Sequence, residues 1–164
     1  MLMSLFRTGT LAATALVLTA FLSAGNLGAQ RIPDIPERAR GAERVVVGSV
    51  RDVNATREQT EWGDEIIVSH ATLAVEESLK GDPQPAVVLD VEGGTVDGVT
   101  MHVSSLPTID RGERGVFFLT RGNSGHYRPY LRGLGILKLD ASNTVKGSSL
   151  TLADIRRMAR ATAQ

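Results

Sequence analysis

Cysteine is absent from the 164 residues of this sequence. The protein therefore has neither a disulfide framework nor the thiol that carries the lipid of a lipoprotein, and its stability must come from packing alone. Aromatic residues are scarce, at 4 % of the sequence, and Trp62 is the one tryptophan. No internal repeat is present, so the chain is not built from stacked repeat units.

The sequence also lacks an excess of charge of either sign. Basic and acidic residues number 18 each. With Arg7 in the N-terminal segment set aside, 17 basic residues face 18 acidic ones, and the net charge is near −1. A nucleic-acid-binding domain would show a basic excess, so this function is excluded.

Charged residues are missing from Thr8 to Gln30. Arg7 precedes this stretch, and an apolar run follows from Leu11 to Ala24, the layout of a secretory signal peptide. We predict a signal peptide over residues 1–29, with cleavage after Ala24 or Ala29. The protein is then exported to the periplasm or outside the cell. An uncleaved N-terminal anchor is the alternative, and it would be the chain's one contact with a membrane.

The residues after the signal peptide divide into a linker and one domain. Residues 30–43 combine two prolines with alternating charge and no apolar period, which predicts a flexible linker. A single domain is predicted over residues 44–164, because 135 residues remain after Ala29 and this is a normal single-domain length.

Runs of alternating or β-branched apolar residues, separated by glycine- and proline-rich segments, predict β-strands in this domain. Gly48 within the first run predicts a bend or bulge. The predicted strands cover residues 44–53, 65–79, 86–92, 99–103 and 115–120, with a return over 127–139. Long polar loops are predicted over residues 54–64 and 104–114.

The last element is different in kind. Thr151 and Asp154 have the spacing of a capping box, and Leu152, Ile155 and Met158 recur at helical spacing. They predict a terminal helix over residues 152–161. The fold class is therefore mainly β: a small five- to six-stranded antiparallel OB-like barrel with one C-terminal helix.

Four segments carry a resemblance to a known group of domains. They are Glu43–Val50, Leu73–Gly81 with its Leu-Lys-Gly ending, Glu92 with two glycines, and Arg111–Leu119 with its Arg-Gly-Glu-Arg turn. Over residues 43–139 the chain resembles exported bacterial domains of the NTR-like group, which includes netrin and the tissue inhibitors of metalloproteinases. The resemblance implies an OB-type five-stranded barrel with a packed helix. The eukaryotic inhibitors chelate zinc through an N-terminal cysteine, so that mechanism is not carried over.

Three histidines occur, His70, His102 and His126, and none lies in an HExxH or HxH arrangement. Their spacing does not support a metal site, and all three are predicted to be solvated surface residues. The serines lack the GxSxG elbow that would position a nucleophile. The chain has no phosphate-binding loop, and the carboxylates near the glycine pair lack calcium-loop spacing. Those carboxylates are Asp82, Asp90, Glu92 and Asp97.

We therefore predict an exported, non-catalytic binding or interaction domain that presents its loops to a protein or a small ligand. No catalytic, cofactor-binding or metal-ligating residue is assigned, and no cofactor is expected. Trp62 is the candidate partner contact, because a tryptophan in a polar loop is a common interface anchor. Two alternatives stay open: a hydrolase or metal-dependent enzyme that uses His102 or His70 with nearby carboxylates, and a structural component of an envelope assembly.

Overall fold

The computed structural model describes residue 32 and residues 34–161. These residues belong to one compact unit that begins at Ile32. The predicted signal peptide, residues 1–29, and its two cleavage sites lie outside the described residues.

The described residues are mainly β structure, with a helix near each end. The elements in chain order are α1 (Ile35–Gly41), β1 (Arg44–Gln59), β2 (Glu65–Lys80), β3 (Ala86–Glu92), β4 (Gly94–Val96), β5 (Val99–Met101), β6 (Arg114–Arg121), β7 (Tyr127–Pro129), a 3-10 turn (Arg132–Gly135), β8 (Ile136–Lys138) and α2 (Leu152–Arg160).

Helix α1 corrects the prediction of a flexible linker over residues 30–43. Asp34 caps the helix N-terminus, and its capping-box partner is Glu37. Ile35 and Ala39 are buried in the core, and the Lys80 ammonium group donates hydrogen bonds to carbonyl oxygens at the helix C-terminus. Tertiary contacts therefore stabilise a helix that is too short to form alone.

Strand β1 is longer than predicted. Residues 54–59, predicted as the first part of a loop, continue the strand and pair with residues 65–70 of β2, so residues 60–64 alone form the turn. A loop was predicted because these residues are hydrophilic. They form a strand nevertheless, since backbone pairing with β2 does not require that their side chains be buried. The predicted bulge at Gly48 is confirmed, since the β1–β2 register shifts between Val47 and Gly48.

Six strands form one sheet in the order β1-β2-β3-β7-β6-β8, and β1 pairs with β6 as well. The pairs are antiparallel except for β3 with β7, which meet in parallel at Leu89 and Tyr127. A wholly antiparallel sheet was predicted, so this pair is a departure. β4 and β5 form a separate two-stranded hairpin.

Two apolar clusters make up the core. One is formed mainly by buried residues of β1, β2, β3 and β6 and includes Leu73, Leu89 and Phe117. The other packs β1 and β6 against the two helices and includes Phe118 and Ile155. Each fully buried side chain of this size contributes about 1.5–3 kcal/mol to folding. The two helices thus cover the sheet at β1 and β6. The outward-facing side chains of β2 and β3 are partly exposed to solvent.

Helix α2 confirms the predicted capping box, in which Thr151 and Asp154 bond each other's backbone and side chain. Its cationic face is paired rather than free: Arg156 and Arg160 both bind Glu77, and Arg157 binds Asp154. Neither helix among the described residues has the length and apolar composition needed to cross a membrane.

Candidate functional site

The most concentrated group of chemically versatile side chains lies on the outer face of β2 and β3. Tertiary pairing places His70 directly opposite Asp90 in the register of these two strands. His126 joins them because it precedes Tyr127, the residue through which β7 meets β3. We call His70, Asp90 and His126 the His–Asp–His cluster.

Both imidazole rings of the cluster present the same atom to Asp90. The Nδ1 atom of His70 lies 2.7 Å from Asp90 Oδ1, and the Nδ1 atom of His126 lies 2.9 Å from the same oxygen. The ring centroids are 5.8 Å apart in an edge-to-face arrangement, with an interplanar angle of 74°. Two imidazole nitrogens therefore lie within hydrogen-bond distance of one carboxylate oxygen.

Two further side chains contact His70 at its other ring nitrogen, Nε2. Glu58 Oε1 lies 3.0 Å from His70 Nε2, and the Thr56 hydroxyl lies 2.9 Å from the same nitrogen. Both residues belong to the end of β1 that was predicted to be a loop. His70 thus has a carboxylate at each ring nitrogen, and its side chain is 21 % exposed. The prediction that it is a solvated surface histidine is corrected.

Asp90 is the centre of the cluster and is 14 % exposed. Partial burial raises the pKa of its carboxyl group, but hydrogen bonds from His70, Ser124 and His126 together outweigh that cost, and the pKa lies below its usual value. The Ser124 hydroxyl donates to Oδ2 at 2.8 Å, which leaves Oδ1 for the two rings. Asp90 is therefore a carboxylate in a fixed orientation.

A groove of about 560 Å³ runs along the outer surface beside the cluster. Asp90 and Ser124 line one wall, and the turn that carries Trp62 forms another. Trp62 is 80 % exposed, as expected for a side chain that does not fold back on the core. Leu131, on the rim of the groove, is 40 % exposed.

His102, the other histidine named for the enzyme alternative, lies elsewhere. It is exposed and lines a cavity of about 320 Å³ together with Glu92 and Asp110. Within the described residues its side chain makes no hydrogen bond or ion pair. Ser69 and Ser105 are engaged by other groups: Ser69 Oγ donates to the Gly93 carbonyl, and Ser105 Oγ accepts from Arg132. The described residues therefore form no serine–histidine–aspartate arrangement around His102.

The four carboxylates near the glycine pair do not converge. Asp90 belongs to the cluster, Glu92 forms an ion pair with Arg132, and Asp97 is exposed. Among the described residues, the His–Asp–His cluster is the one grouping of three ligand side chains close enough to share a metal ion.

This cluster was not predicted, because the histidines are far apart along the chain and their spacing matches no metal-binding motif. A usable signal was present in the hairpin. Ala74 pairs with Ala86 across the turn, and each step away from the turn on β2 matches one step on β3. Counting four steps from that pair brings His70 opposite Asp90. The position of His126 depends on the β3–β7 pairing, which no local pattern indicates.

Comparison with protein-family models and with curated proteins finds no match for this chain.

Proposed function

We propose that this chain is an exported, non-catalytic binding domain whose contact surface is the groove beside Trp62. The observation that carries the proposal is the position of Trp62, which is 80 % exposed at the tip of the β1–β2 hairpin and borders the groove. Burying an exposed tryptophan on binding removes a large apolar area from water, and tryptophan is enriched among the residues that dominate interface energies.

The composition of the groove favours a segment of another protein as the occupant. Apolar side chains of Ile66, Val68 and Leu131 lie along it, while Glu61 and Arg128 supply charges of both signs. An apolar centre with a polar rim is typical of protein interfaces. A small ligand would be mostly enclosed by its pocket, whereas the exposed rim residues leave this groove open along its length.

The scaffold that we propose for this surface is an OB-like barrel of the NTR-like type. Support comes from the pairing pattern, in which β1 pairs with both β2 and β6, and β3 meets β7. In this pattern β1, β2, β3, β7 and β6 each pair with two of the others, and β8 pairs with β6 alone. The packing of α2 against β1 and β6 supports the same proposal.

Export is proposed from the N-terminal sequence, with its uncharged stretch after Arg7. A periplasmic or extracellular location suits a chain that has no cysteine to be oxidised. N-terminal sequencing of the protein from the culture medium or periplasm tests this: a mature chain beginning at Gly25 or Gln30 supports it, and an intact Met1 in the cytoplasm contradicts it.

The groove is tested by photo-crosslinking in the producing cells, with a photoreactive amino acid at position 62. Val99 provides the matched control, because it is 51 % exposed and lies outside the groove. We expect one protein to crosslink at position 62 and not at position 99. The same adduct at both positions, or none at either, contradicts the proposal.

The partner obtained in this way is then titrated against the purified protein. Since Trp62 is the one tryptophan, its fluorescence reports on the groove directly in titrations with a tryptophan-free segment of the partner. We expect a blue shift on binding and, by calorimetry, an affinity loss of at least about tenfold for Trp62→Ala, as for an interface hot spot. Val99→Ala is expected to bind like the unaltered protein. If Trp62→Ala and the unaltered protein bind the partner with equal affinity, the proposal is contradicted.

The two alternative functions remain distinguishable from this one. A stable complex that survives purification and does not depend on Trp62 would favour a structural component of an envelope assembly. Metal-dependent chemistry at His70 is favoured by one specific observation, the convergence of His70 with Asp90 and His126.

A further inference from the structure

We infer that His70, Asp90 and His126 form a binding site for a divalent transition-metal ion of the zinc class. The inference rests on the geometry of the cluster and does not depend on what occupies the groove. The ligand atoms are His70 Nδ1, Asp90 Oδ1 and His126 Nδ1, which all lie within 4.8 Å of one another.

The donor set determines which metal fits. Imidazole nitrogen suits zinc, copper, nickel and ferrous iron, whereas magnesium and calcium prefer sites made of oxygen ligands. Zinc binds histidine nitrogen and carboxylate oxygen at about 2.0–2.2 Å, which places neighbouring ligand atoms roughly 3–3.5 Å apart. The 2.7 Å and 2.9 Å separations from Asp90 Oδ1 therefore need to open by a few tenths of an ångström.

The surroundings of His70 match those of a metal-ligating histidine. A neutral imidazole carries one N–H, yet His70 faces Asp90 at Nδ1 and Glu58 at Nε2. A metal ion bound at Nδ1 leaves the proton on Nε2, where it is donated to Glu58 at 3.0 Å. Such a carboxylate–histidine–metal arrangement orients the ring and raises its basicity.

The other ligands are also held in place. Ser124 occupies Asp90 Oδ2, and the backbone N–H of His126 donates to the same serine hydroxyl at 3.3 Å. Asp90 and Glu58 bring two negative charges to the site, which balance the charge of a divalent ion. Three protein ligands leave at least one coordination position for water or for a group of a bound partner.

The test is calorimetric titration of the tag-free, chelator-treated protein with zinc chloride, repeated with magnesium chloride. We expect one saturable zinc site per chain and no magnesium binding under the same conditions. His126→Ala is the first variant, because this residue lies in a turn and is 40 % exposed, so its loss leaves the fold intact. It is expected to weaken zinc binding by at least about tenfold.

His102→Ala is the matched control, since His102 is an exposed histidine outside the cluster, and zinc binding is expected to be unchanged. Glu58→Gln tests the outer contact and is expected to weaken binding by about 10-fold or more. Zinc should also raise the melting temperature of the unaltered protein but not that of His126→Ala. Absence of a saturable zinc site, or equal binding by His126→Ala and the unaltered protein, overturns the inference.

Discussion

The ammonium group of Lys80 lies 2.6 Å from the carbonyl oxygen of Ala42, although the two residues are 38 positions apart in the chain. The same group donates to the carbonyls of Ala39 and Arg40 at 2.9 Å and 3.0 Å. A cation at this place satisfies the free carbonyl groups at the C-terminus of α1 and interacts favourably with the helix dipole. This contact connects the end of β2 to a helix that would not form by itself.

Replacing Lys80 by methionine is expected to destabilise the protein by about 1–3 kcal/mol, because three hydrogen bonds from a charged donor are lost while the aliphatic stem is kept. Urea denaturation monitored by circular dichroism measures the change. Lys146→Met is the control, because Lys146 is exposed and its ammonium group lies 4.0 Å from the Glu113 carboxylate. If both variants unfold at the same urea concentration, Lys80 does not stabilise α1.

Gly48 allows β1 and β2 to approach each other closely at the bulge. A Cβ atom at this position would collide with the backbone carbonyl oxygen of Ala74, which cannot rotate away. Gly48→Ala is therefore expected to cost about 1–3 kcal/mol, the range for overpacking a well-filled site. The same denaturation experiment measures it, with Ser49→Ala as the neighbouring control. A stability equal to that of the unaltered protein would show that the strand pair relaxes without cost.

Acid should weaken the N-terminus of α2. Hydrogen bonds from the Thr151 hydroxyl and backbone, and then from Arg157, hold the pKa of Asp154 below its usual value. A carboxyl group whose pKa is lower in the folded state stabilises the protein above its unfolded-state pKa of about 3.9, and this contribution is lost as the pH falls through the folded-state value.

The melting temperatures of the unaltered protein and of Asp154→Asn are expected to differ most between about pH 5 and 7, because this range lies at least about one pH unit above the unfolded-state pKa. They are expected to approach each other near about pH 3. Calorimetry at several pH values measures the gap. In a Thr151→Ala background the gap should be smaller, because the Thr151 hydroxyl, the donor with the largest effect on the pKa of Asp154, is gone. A gap that stays constant across the pH range would contradict this account.

Much of the fold was predictable because its signals are local. Strand β3 was predicted over residues 86–92, and the structure has it over the same residues. Apolar and polar residues alternate there between two glycine- or proline-rich turns, and this alternation indicates a strand with one buried face. The capping box of α2 and the bulge at Gly48 were likewise predictable from single residues with specific backbone roles.

The wrong predictions concern elements that are stabilised by distant contacts or by backbone pairing without burial. Helix α1 is seven residues long, and its burial of Ile35 and its contact with Lys80 lie beyond any local window. The polar end of β1 was assigned to a loop because pairing with β2, rather than burial, keeps it extended. The separation of His126 from Asp90 along the chain hid the cluster for the same reason.

By itself the sequence determined the class of the protein: a mainly β chain with one C-terminal helix and no disulfides, because composition and periodicity record which side chains avoid water. It also determined that Trp62 lies in a polar turn. Tertiary structure alone decided that His126 joins His70 and Asp90, and that Glu58 and Ser124 contact this cluster. Their meeting depends on the register between β2 and β3 and on a single parallel contact between β3 and β7. The parallel contact is a long-range pairing that is selected by the packing of the whole core, and no short segment of sequence encodes it.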